Sequence, residues 1–248
     1  ERTLDSAQAA ATIVPVHVRA LSMSGQVADA SKLVNAYARF LRPADHAPLD
    51  RVLAWGWIRA GNVAKARELL AHSDTTDADA LGWLALYDGN LAAARKSLRP
   101  EVESSPEALA ALALLARTRA DTAPVTGRAF LALAQGDTAA AAAGFEKAAS
   151  ELGDAAPLLL ATAARLYASH HSEQQAIALW STIVSRSSDA PEAPEAELDW
   201  ARALRHDGQT QQAIEHLEHL ILTYPQSALL PQARRELEQS RQGIAPES

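Results

Sequence analysis

The chain has 248 residues, 48% of them hydrophobic, and its 23 Lys and Arg against 30 Asp and Glu give a net charge of −7. Without a basic block, that balance argues against nucleic acid, and against an anionic membrane surface, as the main partner. The lack of cysteine excludes disulfides, thiolate metal sites and cysteine nucleophiles.

Taken in order, residues 1–8 read as a disordered or trimmed lead. The sequence starts at Glu1 without Met, and a removed signal peptide would fit an exported protein. From residue 9 onward alanine dominates, with only three Phe and four Tyr, and no period-two alternation is sustained, so the chain reads as all-α. A Gly followed by Ala at the fifth place recurs: Gly25 to Ala30, Gly61 to Ala66, Gly89 to Ala94, Gly136 to Ala141 and Gly208 to Ala213. A sixth instance has His171 leading to Ala176. Gly supplies the positive φ a reversing chain needs, and the small Ala lets two helices approach. Four residues after each Ala comes an apolar residue, namely Val34, Leu70, Leu98, Phe145, Trp180 and Leu217, which places the two on one helix face.

The anchors lie 36, 28, 47, 35 and 37 residues apart. The short step predicts short helices near 63–72 and 78–88. The long one makes room for an extra helix near 106–119, started by Ser104, Ser105 and Pro106, with a bend or change of register in the stack there. Ser187 to Ala196 reads as a loop broken by Pro191 and Pro194. Residues 196–225 form the clearest hairpin, with Ala213, Ile214, Leu217, Leu220 and Ile221 on one face and Trp200, Ala201 and Leu204 opposite. Ser227 to Gln242 is predicted as a capping helix with a polar outer face, and 243–248 as a flexible tail.

Ala201, Gly208, Ala213, Leu217 and Pro225, with Ala141, Phe145 and Ala148, and Gly82, Ala94, Leu98 and Pro106, resemble the tetratricopeptide repeat, a pair of antiparallel helices about 34 residues long. The resemblance covers roughly residues 9–242 and is specific from about Pro157 onward. It implies a right-handed α-solenoid of about six or seven hairpins, degenerate over 9–120 and more regular over 121–242. In that family the first helix of each pair lines an inner groove that holds peptide segments. The position eleven residues before each anchor Ala carries Arg19, Trp55, Trp83, Phe130, Arg165 and Arg202, with Arg51, Arg59 and Arg205 beside them. The resemblance thus implies an aromatic patch in the N-terminal half and arginines for acidic groups in the C-terminal half. Packing between hairpins is the competing reading for Trp55 and Trp83, and the expected role of Trp57.

No phosphate-cradling Gly loop, nucleophile elbow or Ser-x-x-Lys occurs, so no catalysis and no cofactor is expected. Glu215, His216, Glu218 and His219, with His206 as a third ligand, can be drawn as a divalent-metal site, but a solvated helix face is the preferred reading. No stretch approaches the roughly 20 apolar residues of a membrane span. Peripheral association through partners, or through a lost N-terminal anchor, is the membrane role left open.

The expected function is a non-catalytic scaffold whose partners are other protein subunits, part of a larger membrane-associated complex. The alternatives are a transient adaptor for an acidic segment and a regulatory piece of a longer enzyme. The C-terminal repeats also look like those of bacterial cell-envelope proteins, and four lysines against many arginines suit a GC-rich bacterial coding bias. The expected location is therefore periplasmic or envelope, with the cytoplasm as alternative.

Overall fold

Six Schellman caps set the plan of the chain. At each predicted turn the backbone turns left-handed, at φ of 80° (Gly25), 66° (Gly61), 75° (Gly89), 78° (Gly136) and 78° (Gly208), and at 59° in His171, the non-glycine exception. The following N–H then bonds a carbonyl five residues back, as in Gln26 to Leu21 at 2.8 Å, Asn62 to Trp57 at 2.8 Å and Gln209 to Leu204 at 2.8 Å. This satisfies carbonyls that a helix end would otherwise leave bare. The second helix starts within a few residues, so helices come in pairs. All six anchor alanines, Ala30, Ala66, Ala94, Ala141, Ala176 and Ala213, are wholly buried, as close helix crossings require.

The computed structural model describes residues 2–71, 77–98 and 106–242, with side chains from Thr12 onward. Among these residues the secondary structure is α-helical, with two short 3₁₀ turns and no strand. The all-α expectation holds. The chain packs as two compact units, one of residues 1–116 and 120–137, the other of 117–119 and 138–248.

The first unit contains α1 (Arg2–Met23), α2 (Val27–Tyr37), α3 (Pro43–Arg59), α4 (Val63–Ala71), α5 (Ala78–Tyr87), α6 (Leu91–Ser97), α7 (Pro106–Arg117, its last residue grouped with the second unit) and α8 (Pro124–Ala134). Helices pair as α1 with α2, α3 with α4 and α5 with α6, while the first members line up as α1, α3, α5 and α8. Because α8 packs on α5, α7 is an insertion. This explains the long step between Gly89 and Gly136. The close approach of α8 to the turn after α5 needs glycine on both sides: a Cβ on Gly127 would lie 2.5 Å from the Gly89 nitrogen and 2.7 Å from the Leu86 carbonyl oxygen.

The second unit holds α9 (Thr138–Glu151), α10 (Ala156–Ser169), α11 (Glu173–Arg186), α12 (Ala193–His206), α13 (Thr210–Thr223) and α14 (Leu230–Gln242), each packed on the next. Its core includes Phe145, Ile183, Leu198, Leu217 and Leu220, all under 2% exposed. Each contributes roughly 1.5–3 kcal/mol by leaving water.

Several boundaries differ from the predicted ones. Helix α1 already begins at Arg2, inside the segment read as a lead. Pro194 opens α12 instead of breaking it, since a proline in the first turn removes an N–H that would have no partner. Helix α14 starts at Leu230, three residues late, because Ser227 Oγ accepts the Leu229 N–H at 3.2 Å and holds a turn there. The Ser104–Ser105 start signal and the 243–248 tail lie outside the described residues.

Candidate functional site: an interaction surface

In the first unit, Arg19 on α1 and Arg51 and Trp55 on α3 line one open cleft of about 480 Å³, floored by Pro48 and Val52. A second hollow of about 360 Å³ adjoins it, sharing Arg19, Pro48 and Val52 and adding Pro15, Val16, Asp45 and Leu49. Three of the positions read from the sequence therefore meet in one place.

Asp77 fixes their geometry. Buried at the N-cap of α5, it accepts the Ala80 N–H at 3.2 Å, the Trp55 indole N–H at 2.8 Å and Arg51 Nε at 2.7 Å. Burial works to raise its carboxyl, but these three donors outweigh it and hold the group below the usual carboxylate range. Trp55 is thus anchored by its polar edge, with one side facing the cleft and the Arg59 guanidinium 5.9 Å from its ring centre.

The remaining aromatics behave differently. Phe130 is only 3% exposed, so it belongs to the core and does not line a groove. It sits on α8 with its ring turned into the packing. Trp83 is half-buried and tilts against Tyr87 at 5.9 Å. Trp57 is buried as expected, with the Lys65 ammonium 4.1 Å from its ring centre.

In the second unit the arginines already have carboxylates. Arg165 Nη1 lies 3.1 Å from Glu195, Arg202 forks onto Glu236 at 2.7 Å and reaches Asp199 at 2.9 Å, and Arg205 is 3.6 Å from Glu236. The bond to Glu236 raises the Arg202 guanidinium above its ordinary value, and burial raises the Asp199 carboxyl despite Arg202 beside it. These three side chains thus join α10 to α12 and α12 to α14 through the chain's own carboxylates.

Of the histidines, His219 and His206 lie on exposed surface and His216 is half-buried. Glu197, on the inner side of α12 and 1% exposed, receives His216 Nδ1 at 3.2 Å and His219 Nδ1 at 2.7 Å. The Trp200 ring stacks on His216 with centres 3.8 Å apart. His206, drawn above as a third metal ligand, points instead to Glu173 at 3.2 Å. Among the described residues no group of three His, Asp or Glu is placed to hold a metal ion. The sequence reading missed Glu197; two histidines three apart on the facing helix were the available signal.

Among the described residues no helix is long and apolar enough to cross a membrane. The architecture defines an all-α protein of paired helices, a class suited to presenting surface rather than enclosing it. Residues 195–227, which span α12, its Schellman turn at Gly208 and α13, match the family model for the tetratricopeptide repeat. That repeat fits a protein–protein interaction module. Neither curated proteins nor solved structures give a match to the chain.

Proposed function

We propose that the protein is a non-catalytic scaffold acting as a structural or accessory subunit of a larger protein complex. The observation that carries this reading is the six-fold use of one turn and crossing geometry, Schellman cap then buried alanine, which within each unit packs helix on helix and leaves outer faces exposed. The repeat match at 195–227 supports it, as do large apolar side chains left outside, including Ile13, Val16, Leu109 and Leu222. The bacterial envelope is the proposed setting, on the likeness of the C-terminal repeats to those of envelope proteins. Affinity purification of the tagged protein from a gentle detergent extract, with mass spectrometry, tests both points. A stoichiometric set of co-purifying envelope proteins is expected; recovery of the protein alone would overturn the subunit reading, and a purely cytoplasmic set would overturn the location.

One observation favours a transient adaptor as second reading: the α1/α3 cleft is open, partly apolar and edged by arginine.

A further inference from the structure

We propose that the outer face of the inserted helix α7 docks an uncharged face of a helix from a partner subunit; this rests on the interaction-scaffold reading above. Helix α7 is apolar on both sides. Ala111, Leu114 and Leu115 are at most 4% exposed, whereas Leu109 is 58% exposed, Ala116 is exposed, and Leu112 and Ala113 between them are half-buried. Those last four stand at i, i+3, i+4 and i+7, one stripe of a helix. From Ala108 to Ala116 no residue is charged or polar. A lone surface leucine needs no explanation, but an apolar stripe opposite the buried one belongs to a helix packed on two sides.

Among the described residues α7 joins none of the close helix pairings of its unit, yet its end is held. Arg95 on α6 donates its Nε to the Leu115 carbonyl at 3.1 Å and an Nη to the Ala120 carbonyl at 3.0 Å. Just beyond, the Ala92 N–H bonds the Asp121 carbonyl at 3.0 Å and the Ala123 N–H bonds the Gly89 carbonyl at 2.7 Å. The stripe is therefore set in place before a partner arrives, which lowers the ordering cost of binding.

Charge and area choose the occupant. A carboxylate or ammonium laid on this stripe would lose water and find no partner, so the groups that meet it are uncharged. Two Leu beside two Ala leave notches that large side chains of a facing helix fill. A second copy of this chain fits less well. Each copy carries −7, which opposes self-association, and four side chains fall far short of the roughly 20–30 residues a side of a stable interface. A subunit already held by other contacts in a larger complex does not need α7 to supply the whole interface.

The test replaces Leu109 by the photo-crosslinker p-benzoylphenylalanine in the tagged protein, irradiates intact cells and maps the crosslinked peptide by mass spectrometry. In parallel, Leu109→Asp and, as a control for added charge, Gln239→Asp on α14 go through the co-purification above. A crosslink to a partner segment with Leu, Ile, Val or Ala at helical spacing is expected. So is at least about tenfold lower recovery of that partner with Leu109→Asp, and little change with the control. Both positions are exposed, so thermal unfolding of both variants should match the unmodified chain. No crosslink, or one to a second copy of this chain, to a charged segment or to lipid alone, overturns the proposal. Partners that still co-purify but are indifferent to Leu109→Asp reject the α7 face alone, whereas no co-purifying partner from the unmodified protein rejects the scaffold reading and this proposal with it.

Discussion

The indole N–H of Trp55 donates to Asp77 across 2.8 Å, joining α3 to the cap of α5. A tryptophan picked out for display to a ligand is thereby also a structural tie.

Removing that tie should cost stability. Asp77→Ala loses a helix cap, about 1 kcal/mol, and strands a part-buried indole N–H, roughly 1–3 kcal/mol more; urea unfolding of the variant checks the sum. The pH sign follows from a folded-state value below the ordinary 3.8. The contribution is complete above the unfolded value and is lost as pH falls through the depressed one. The gap between Asp77→Ala and the unmodified chain should therefore stay level from pH 7 to 5 and shrink only below about pH 4.

His171 occupies a position where the other turns carry glycine, at φ 59°. A left-handed conformation costs a non-glycine residue roughly 1–2 kcal/mol, so His171→Gly should stabilise the second unit by about 0.5–1 kcal/mol after the added unfolded-state entropy is deducted. Gly208→Ala, at φ 78° with nothing within 4 Å of its new Cβ, should destabilise by about 1 kcal/mol through backbone conformation alone. Thermal unfolding of both variants separates strain from packing.

Glu197 is buried inside the second unit and meets His216 and His219. His216→Ala with His219→Ala leaves it buried without those partners, at an expected cost of about 3–5 kcal/mol. Adding Glu197→Leu to that pair should recover most of the loss, since an apolar trio avoids the desolvation altogether. Chemical denaturation of the double and triple variants distinguishes a charge lock from simple packing: recovery supports the lock, and a further loss contradicts it.

Charge reversal of Arg165, Arg202 and Arg205 together should weaken the second unit by roughly 1–3 kcal/mol, because Glu195 and Glu236 would then face like charges. Circular dichroism melts check this.

The hairpins were legible because their signals are local. Gly at the turn and Ala five residues on act within a single Schellman cap and the first turn of the next helix, so spacing alone placed all six turns, including the one with His171. The inserted α7 was legible for the same reason, as surplus length between Gly89 and Gly136. Local sequence also placed Trp55 and Arg51 on the same helix face, four residues apart. Which groups would neutralise the arginines was not legible, because the answers lie far along the chain: Asp77 is 26 residues from Arg51, and Glu236 is 34 from Arg202.

Sequence by itself thus determined the helical state, the turns and the small residues at the crossings, since each depends on backbone conformation and side-chain size within a few residues. Tertiary structure alone decided that Phe130 is core, that the C-terminal arginines are ties between helices, and that Glu197 lies inside, beneath His216 and His219. Only packing brings α1 against α3 and leaves Arg19 open while its C-terminal counterparts are paired. Burial and charge pairing are properties of what the next helix presents, and that is set by the stack rather than by the neighbouring residues.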